Sequence, residues 1–368
     1  MKEQKIIMEK QMGNKKKVLI DLTNYGSIAV GFGQIAVNYA ALFASLPIDD
    51  IHFIYLMRKR SVQDFGENVT CIPVRRINKL FPFTLPKVDV WHAVNQQRKL
   101  ARVAKGTKFI FTIHDFNFLK EKKPWKVKLY LRRMQHKIDK AAVVTTISHY
   151  TADIVRQHVN MRGKEIRVIY NGVERIDTLE GARPAFATGR PFFFTIGQIR
   201  KKKNFHLLLD VMQSFPEYDL YICGDTTCGH GVYSEELRTL IREKRLSNVY
   251  LAGVVTQPEK VWLYRNCDAF LFPSEGEGFG LPVIEAMQFG KAVFAASRTS
   301  LPEVCGGHAF MWDQLDTDSM VRSIQEHLPD FYKNEERINN MKEYAYSFSY
   351  EKHIQAYLDL YRELAQLS

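Results

Sequence analysis

The sequence has few cysteines, no long apolar run and no internal repeat, and each absence excludes a class of protein. Five cysteines spread over 368 residues are too sparse and too uneven for a disulfide framework, so we expect reduced thiols. No stretch reaches the roughly 18 apolar residues that a membrane span needs. The nearest, 35–46, contains Asn38 and Ser45 and has the spacing of an amphipathic helix. Without a fixed period, a solenoid is excluded as well.

Acidic residues are scarce in the first half of the chain only. Residues 1–180 hold 32 Lys and Arg against 16 Asp and Glu, whereas residues 181–368 hold 20 against 24. The net charge of +12 therefore comes from the first half, and it would attract nucleic acid, acidic lipid or phosphorylated small molecules. The first 17 residues carry lysines where a secretory signal has an apolar centre, so we expect the protein to stay in the cytoplasm.

At 368 residues the chain is long enough for two domains, and its strand and helix patterns alternate twice. Between the two runs, residues 175–191 contain two glycines and two prolines and have little periodicity, which is typical of an interdomain linker. The pattern predicts two doubly wound α/β domains, at 17–178 and 190–345. The predicted strands are KVLIDL from Lys17, HFIYLM from His52, CIPV from Cys71, VDVWH from Val88, KFIFTI from Lys108, AVVTTI from Ala142, RVIY from Arg167, FFFTI from Phe192, DLYIC from Asp219, NVYLAG from Asn248, DAFLF from Asp268, KAVFA from Lys291 and AFMW from Ala309.

The last helix, predicted from Ser349 onward, has one apolar stripe and needs an apolar surface to cover it. Ser349 is placed to cap its first turn. The stripe consists of Ile354, Tyr357, Leu358, Tyr361 and Leu364.

The run PSEGEGFGLPVIEAMQFGK, 273–291, follows a predicted strand and is the strongest candidate for a site. Its glycines allow a ligand to approach the backbone, and Pro282 suits the first turn of a helix. Carboxylates such as Glu277 and Glu285 accept hydrogen bonds from vicinal hydroxyls, while N–H groups at a helix start suit a phosphate. A sugar joined to a nucleotide through a diphosphate fits this set. Spacing alone leaves a second interpretation open, a glycine-rich turn with two surface glutamates.

A basic turn, GQIRKKKN at 197–204, also follows a predicted strand. Its cations would neutralise the charge that grows on a departing diphosphate. By itself the same turn is more typical of a solvated basic loop.

The run PSEGEGFGLPVIEAM closely resembles the signature of the retaining glycosyltransferases of family 4. The resemblance extends over most of the chain, and it implies the GT-B fold, with two Rossmann-like domains facing a cleft. It also implies that the last helix, 349–368, crosses back to complete the first domain. The other blocks that carry the resemblance, in the order of the family, are TIHDFNF from Thr112, TTISHYT from Thr145, VIYNGVE from Val168, TIGQIRKKKN from Thr195, YICGD from Tyr221, VYLAGVV from Val249, LYRNCDAFLFPS from Leu263 and SLPEVCGG from Ser300.

The resemblance assigns roles to residues of the second half. Glu277 would contact hydroxyls of the transferred sugar and Glu285 the ribose hydroxyls. Lys203 would bind the diphosphate, with Lys202 beside it. This chain has Gln198 where many members have an arginine, so Arg200 or Lys202 must supply the second cation. The backbone that would line the sugar and diphosphate belongs to Phe279, Gly280 and Leu281.

In the first half, the resemblance points to two places that follow predicted strands. Gly31 and Gly33 lie in a glycine-rich turn that would face the donor phosphates, although their spacing is not a dinucleotide fingerprint. His114 and Asp115 follow KFIFTI, and the histidine would line the sugar site. Ser148 is at least a helix cap and is also a candidate cleft residue.

Two other sets of residues suggest binding classes that we do not favour. Cys223, Cys228 and His230 supply three groups and no second pair, so we predict no zinc site, in agreement with the metal-independent chemistry of the family. The basic first half contains no helix-turn-helix, zinc-finger or RNP-type pattern, so we expect no nucleic-acid partner.

The segment 120–140 has nine Lys and Arg, Trp125 near its start, and an apolar stripe at Val127, Leu131, Met134 and Ile138. The favoured interpretation is a helix that buries this stripe in the first domain. The alternative is peripheral contact with an anionic membrane at its inner face.

Together these features predict a retaining glycosyltransferase that moves a hexosyl unit from a UDP- or GDP-sugar to a hydroxyl of a glycan or lipid-linked acceptor. Polysaccharide or lipopolysaccharide synthesis is the expected context, and no cofactor or metal is expected. The alternatives are an epimerase or hydrolase acting on sugar nucleotides with the same fold and, more remotely, a non-enzymatic nucleic-acid binder.

Overall fold

A computed structural model of the protein describes residues 15–26, 31–79, 84–96 and 103–367. The chain divides into two compact units. The first contains the described residues up to Tyr170 together with those from His353 onward, and the second contains Asn171–Lys352.

The first unit is built on a seven-stranded parallel sheet in the order β3-β2-β1-β4-β5-β6-β7. The order reverses between β1 and β4, which is the switch point of this sheet. The strands are β1 Lys16–Asp21, β2 Ile51–Met57, β3 Val69–Pro73, β4 Val90–Ala93, β5 Lys108–Ile113, β6 Val143–Thr146 and β7 Ile166–Val168. The α-helices are Gly31–Ser45, Phe118–Glu121, Pro124–Ile138, His149–His158 and, from the other end of the chain, Tyr350–Ala365.

The second unit repeats the plan with a six-stranded parallel sheet in the order β10-β9-β8-β11-β12-β13, whose switch point lies between β8 and β11. Its strands are β8 Phe192–Ile196, β9 Asp219–Cys223, β10 Val249–Gly253, β11 Ala269–Phe272, β12 Ala292–Ala296 and β13 Phe310–Trp312. Its α-helices are Phe205–Val211, Val232–Glu243, Gln257–Asn266, Leu281–Gln288, Leu301–Cys305, Thr317–Phe331 and Glu335–Tyr346.

Each of the thirteen predicted strands is present among the described residues, and the prediction of two doubly wound parallel sheets is confirmed. β-Branched and aromatic side chains fill both sheets, and most strands are buried on both faces, as crossover helices require.

The apolar stripe of the last helix is buried in the first unit. Ile354, Tyr357, Leu358 and Tyr361 are buried in one core cluster of that unit, and Leu364 packs partly buried against it. The Ser349 hydroxyl accepts a hydrogen bond from the Lys352 N–H at 3.3 Å, which is the expected cap.

The segment predicted as a linker, 175–191, packs against the second unit instead of running free. Ile176 is fully buried and its N–H donates to the Gln288 side chain at 3.2 Å. Farther along, Arg265 donates to the carbonyls of Asp177 and Leu179. Glycine and proline predicted irregular backbone correctly. The second unit begins at Asn171, within the range that we assigned to the first domain.

The stripe of the helix Pro124–Ile138 is also buried in the first unit. Met134 and Ile138 are buried in the second core cluster of that unit, and Val127 and Leu131 pack partly buried against it. Burial of the stripe, the favoured interpretation, is confirmed.

A polar network inside the first unit joins the last helix to the sheet. The two ring nitrogens of His92 lie 2.7 Å from the Tyr361 hydroxyl and 2.7 Å from Thr112 Oγ1. His353 bonds Tyr39 through Nε2 and the Tyr170 carbonyl through Nδ1, at 2.6 and 2.5 Å. Burial lowers the pKa of His92 well below its ordinary value and that of His353 to about 4, so both rings are neutral at neutral pH.

This network predicts that acid destabilises the first unit. Because the folded pKa of His353 lies below the unfolded value of 6.5, the unfolded state binds more protons as the pH falls through that interval. The contribution of His353 to the free energy of unfolding is therefore fully present above pH 6.5. It falls by about 3 kcal/mol as the pH is lowered towards 4. Urea unfolding at a series of pH values measures the decline. The signal is the fluorescence of the buried Trp91, in a variant whose other three tryptophans have been replaced.

The control compares two histidine replacements. His353→Gln removes one titrating group and should flatten the pH dependence, whereas replacing the exposed His136 by Gln should leave it unchanged. An unaltered slope in His353→Gln would contradict the assignment.

Candidate active site

Lys203 lies at the switch point of the second sheet. It ends the 3-10 helix Lys201–Lys203, in the turn between β8 and the helix Phe205–Val211. Its ammonium lies 4.8 Å from the centre of the Phe272 ring at the end of β11. On the other side it packs over Gly197, where a Cβ would lie only 3.3 Å from Lys203 Cε. A buried lysine is thus fixed between the two strands whose loops diverge.

Glu277 is the partner of Lys203. Lys203 Nζ forms an ion pair with Glu277 Oε1, and the Ser274 hydroxyl donates to the same oxygen at 2.6 Å. The two side chains are only 10% and 14% exposed. The structure therefore brings together the basic turn and the glutamate motif, which are separated by 74 positions in the sequence.

The loop after β12 supports the backbone of this motif. The Glu277 N–H donates to Thr299 Oγ1 at 3.1 Å, and the Ser300 hydroxyl lies within 3.1 Å of the carbonyls of Glu277 and Phe279. Thr299 has φ 54°, a left-handed conformation that a β-branched residue rarely adopts. Strain of this kind is concentrated at functional sites.

Gly280 leads into the helix Leu281–Gln288. It has φ 115°, and a Cβ at this position would lie 2.7 Å from a methyl group of Leu301. Only glycine fits here, so the backbone from Phe279 to Leu281 makes a sharp turn directly before the helix. Phe279 itself is buried.

Glu285 is held by residues of the helix Gln257–Asn266. Lys260 Nζ lies 2.9 Å from Glu285 Oε1, and the Tyr264 hydroxyl lies 2.9 Å from Glu285 Oε2. Burial raises the pKa of Tyr264 well above its ordinary value, so its hydroxyl keeps the proton that it donates. Each oxygen of Glu285 retains a further lone pair for a hydroxyl group.

Arg200 and Lys202 lie in the same turn as Lys203 but in different surroundings. The Lys202 carbonyl accepts a hydrogen bond from the Glu275 N–H at 2.9 Å, which ties the two motifs together a second time. Arg200 lies beside Asp225 and Cys228 in the loop after β9, and its charge helps to lower the pKa of Asp225, after the larger effect of hydrogen bonds from Thr227.

In the first unit, His114 follows β5 and is fixed from three sides. Its Nε2 lies 2.7 Å from the Val94 carbonyl, so this nitrogen carries the hydrogen. The backbone N–H of His114 donates to Gln96 Oε1 at 2.6 Å, and its backbone carbonyl accepts a longer bond, at 3.4 Å, from the Thr151 hydroxyl. Burial lowers the pKa of His114, which is therefore a neutral ring in a defined tautomer.

Gln96 connects the loops after β4 and β5. Its side-chain NH₂ donates to the Asp115 carbonyl at 2.8 Å, and the buried Lys137 donates to the Gln96 carbonyl at 2.5 Å. The Asp115 carboxylate accepts from the Asn117 N–H at 3.0 Å. The carboxyl ends of β4 and β5 thus share a polar cluster.

The remaining candidates of the first unit lie at helix starts. Gly31 and Gly33 are in the first turn of the helix Gly31–Ser45, where Gly33 is buried, and part of the predicted glycine-rich turn, 27–30, lies outside the described residues. The Ser148 hydroxyl accepts from the Thr151 N–H at 3.1 Å, so Ser148 caps its helix as predicted.

No cluster of three or more His, Cys, Asp or Glu side chains able to hold a metal ion occurs among the described residues. None of the helices in this part of the chain is long and apolar enough to cross a membrane.

Sequence reasoning missed several residues that build these clusters. Ser274, Thr299 and Gln96 were not singled out, although each follows a strand at the ligand-binding edge of a parallel sheet. Their position after strands was the available signal. Lys137 and Lys260 lie within helices, and nothing in their spacing distinguishes them from solvated lysines.

Two sequence families match consecutive parts of the chain. Residues 179–348 match the family described as Glycosyl transferases group 1, and residues 57–175 match Glycosyltransferase Family 4.

Curated relatives carry mannosyltransferase names. The serotype-specific mannosyltransferase WbdA of Escherichia coli is 30% identical over 178 residues, which are 46% of this chain and 21% of WbdA. The chain thus matches only about a fifth of the length of that relative. The O-antigen chain mannosyltransferase RfbU of Salmonella typhimurium is 23% identical over 335 residues, 85% of this chain and 92% of RfbU.

Solved structures share the fold. Sucrose-phosphate synthase from Thermosynechococcus elongatus superposes with a TM-score of 0.75 at 17% identity, covering 96% of this chain and 100% of that one. HepE from Anabaena, solved in complex with UDP and glucose, gives 0.72 at 18% identity, covering 94% and 99%. Residues 57–175 and 179–348 thus belong, in chain order, to the families described as Glycosyltransferase Family 4 and Glycosyl transferases group 1, and the chain has the GT-B fold.

Proposed function

We propose that the chain is a retaining glycosyltransferase that moves a hexosyl unit from a UDP- or GDP-sugar to a hydroxyl of a glycan or lipid-linked acceptor. The observation that carries the proposal is the contact between Lys203 and Glu277 at the switch point of the second sheet. This contact supports the proposal, because an ammonium group suits a diphosphate and a neighbouring carboxylate suits sugar hydroxyls. No metal or other cofactor takes part, since the positive charge comes from side chains.

Similar proteins support the acceptor class and the donor class. The names of WbdA and RfbU describe mannosyl transfer, to an O-antigen chain in the case of RfbU, and HepE has been solved with UDP and glucose. We therefore assign the chain to cell-surface polysaccharide or lipopolysaccharide synthesis.

In the proposed reaction, the bond between the anomeric carbon and the diphosphate oxygen breaks, and its electron pair leaves with the nucleoside diphosphate. Lys203 stabilises the growing negative charge, with Lys202 or Arg200 as the second cation. The acceptor oxygen bonds the anomeric carbon on the face that the diphosphate leaves, and its proton passes to the departing phosphate. Glu277 orients the sugar.

Thermal unfolding with nucleotides and a Lys203 variant tests this proposal. UDP or GDP should raise the melting temperature of the wild-type protein, because a ligand that binds only the folded state stabilises it. Lys203→Ala should abolish the increase and lower the rate of sugar transfer by about a hundredfold or more.

Lys333→Ala is the matched control, since Lys333 pairs with Asp330 on the exposed surface of the same unit. This variant should keep both the rise in melting temperature with nucleotide and the wild-type rate of sugar transfer. Transfer by Lys203→Ala at a normal rate would refute the assignment, and consumption of sugar nucleotide without an acceptor would favour the epimerase or hydrolase alternative.

Glu285 is the proposed acceptor for the ribose diol, and Lys260 and Tyr264 hold its carboxylate in one orientation. The protein should therefore bind the ribonucleotide that stabilises it, UDP or GDP, about tenfold more tightly than the 2′-deoxy form. Lys260→Met should reduce this preference to about twofold or less, because the carboxylate loses its fixed orientation. Calorimetric titration of each nucleotide pair gives the ratio.

Lys260→Arg keeps the charge and should restore most of the preference. If Lys260→Met prefers the ribonucleotide over its 2′-deoxy form as strongly as the wild type does, the contact between Lys260 and Glu285 does not determine recognition of the ribose.

We further propose that the protein works in the cytoplasm and contacts the inner face of the membrane through the helix Pro124–Ile138. One face of this helix is buried, but Trp125 is 63% and Leu129 37% exposed on the other. Exposed cations surround these two side chains, and each could contribute about 1 kcal/mol at an anionic surface. They are Lys122, Lys123, Lys126, Lys128, Arg132 and Arg133.

Vesicles containing acidic phospholipid should therefore bind the protein in a salt-sensitive way, while neutral vesicles should not. The pair of substitutions Lys126→Glu and Arg133→Glu should abolish sedimentation with acidic vesicles. The same change of charge at the exposed Lys333 and Lys352 of the second unit should not. Absence of binding, or retention that high salt does not weaken, would exclude this contact.

A further inference from the structure

In the Lys203–Glu277 ion pair, Glu277 occupies the cation that a diphosphate would also bind, so the two compete for Lys203. Lys203 is the group assigned to the diphosphate, yet its ammonium is already neutralised by Glu277. Both side chains are nearly buried, and the Ser274 hydroxyl, 2.6 Å from Glu277 Oε1, keeps the carboxylate in place. A diphosphate that reaches this point meets a negative charge as well as a positive one.

The donor and the product differ in how they can compensate that negative charge. A sugar nucleotide brings sugar hydroxyls, which can donate hydrogen bonds to Glu277 while the diphosphate takes Lys203. A nucleoside diphosphate without sugar has only acceptors at that place, so Glu277 is left without the donors that the sugar supplied. A nearly buried carboxylate that loses its partner is costly.

We propose that Glu277 is an internal counter-ion that weakens the binding of the nucleoside diphosphate product and so assists its release. This inference rests on the proposed function, because it takes Lys203 as the diphosphate contact. Once the sugar has been transferred, Glu277 forms its ion pair with Lys203 again and displaces the nucleoside diphosphate. The carboxylate thereby has a role after the transfer step in addition to orienting the sugar before it.

The inference has a testable consequence that sugar orientation alone does not produce. Glu277→Gln keeps the size of the side chain and removes its charge. It should bind UDP or GDP about tenfold more tightly than the wild-type protein, as measured by titration calorimetry at fixed ionic strength. If Glu277 served only to orient the sugar, the affinity for a nucleotide that lacks the sugar would not change.

Glu275→Gln is the matched control for charge. Glu275 lies two positions away in the same loop, is exposed, and contacts the basic turn through its backbone N–H only in the bonds described here. It should change the affinity by about twofold or less, since an exposed charge is screened. An equal increase in both variants would mean a general effect of charge and would overturn the inference.

A second variant isolates the pair itself. In a Lys203→Gln background, nucleotide binding should be much weaker, and Glu277→Gln should raise the affinity by a smaller factor than it does with Lys203 present, because no cation is left to compete for. If Glu277→Gln does not fold, Glu277→Asp, which shortens the side chain by one methylene group, should show a smaller increase in the same direction.

The outcomes separate the two levels of the argument. If neither UDP nor GDP binds the wild-type protein, the proposed function fails. If one of them binds the wild type, and Glu277→Gln binds it equally or more weakly, the function stands and the counter-ion role is refuted.

Discussion

A lysine that is almost removed from water needs a negative partner, and this requirement organises the second unit. Lys203 packs between Gly197 and Phe272, at the point where the sheet changes direction, and only Glu277 is placed to balance its charge in the contacts described for it. The ion pair therefore fixes the loop that follows β11. Ser274 and Thr299 complete that arrangement through hydrogen bonds. The folding of the loop and the chemistry assigned to it depend on the same contact.

Periodicity predicted the fold well because the physical constraints are local. A strand buried on both faces reads as a continuous apolar run, and the stripe of Tyr357 and Tyr361 predicted a covered helix. The irregular segment from Arg175 was harder. Glycine and proline indicate the absence of regular structure, but whether such backbone is exposed depends on partners such as Gln288, which lies 112 positions from the residue that it contacts.

The candidate site was predictable in its motifs and unpredictable in its pairings. Glu285 could be identified from its spacing to Glu277 and from the resemblance. Its partner Lys260 could not, because a lysine one turn into a helix looks the same whether it faces solvent or a carboxylate. The same holds for Lys137 below Gln96. The tertiary structure decides which side chains meet across loops, and the spacing of residues in the sequence does not predict these pairs.

The last helix has a consequence for how the chain is synthesised. The core of the first unit contains Ile354, Tyr357 and Tyr361, and His92 bonds directly to Tyr361. While the ribosome is still translating the second unit, these residues do not yet exist, so the core on that side of the first sheet is incomplete and is covered by the helix Gly31–Ser45 alone among the residues described in this cluster. The second unit, whose strands and helices are contiguous along the chain, can fold first. The N-terminal half would then be the last part of the molecule to reach its native state.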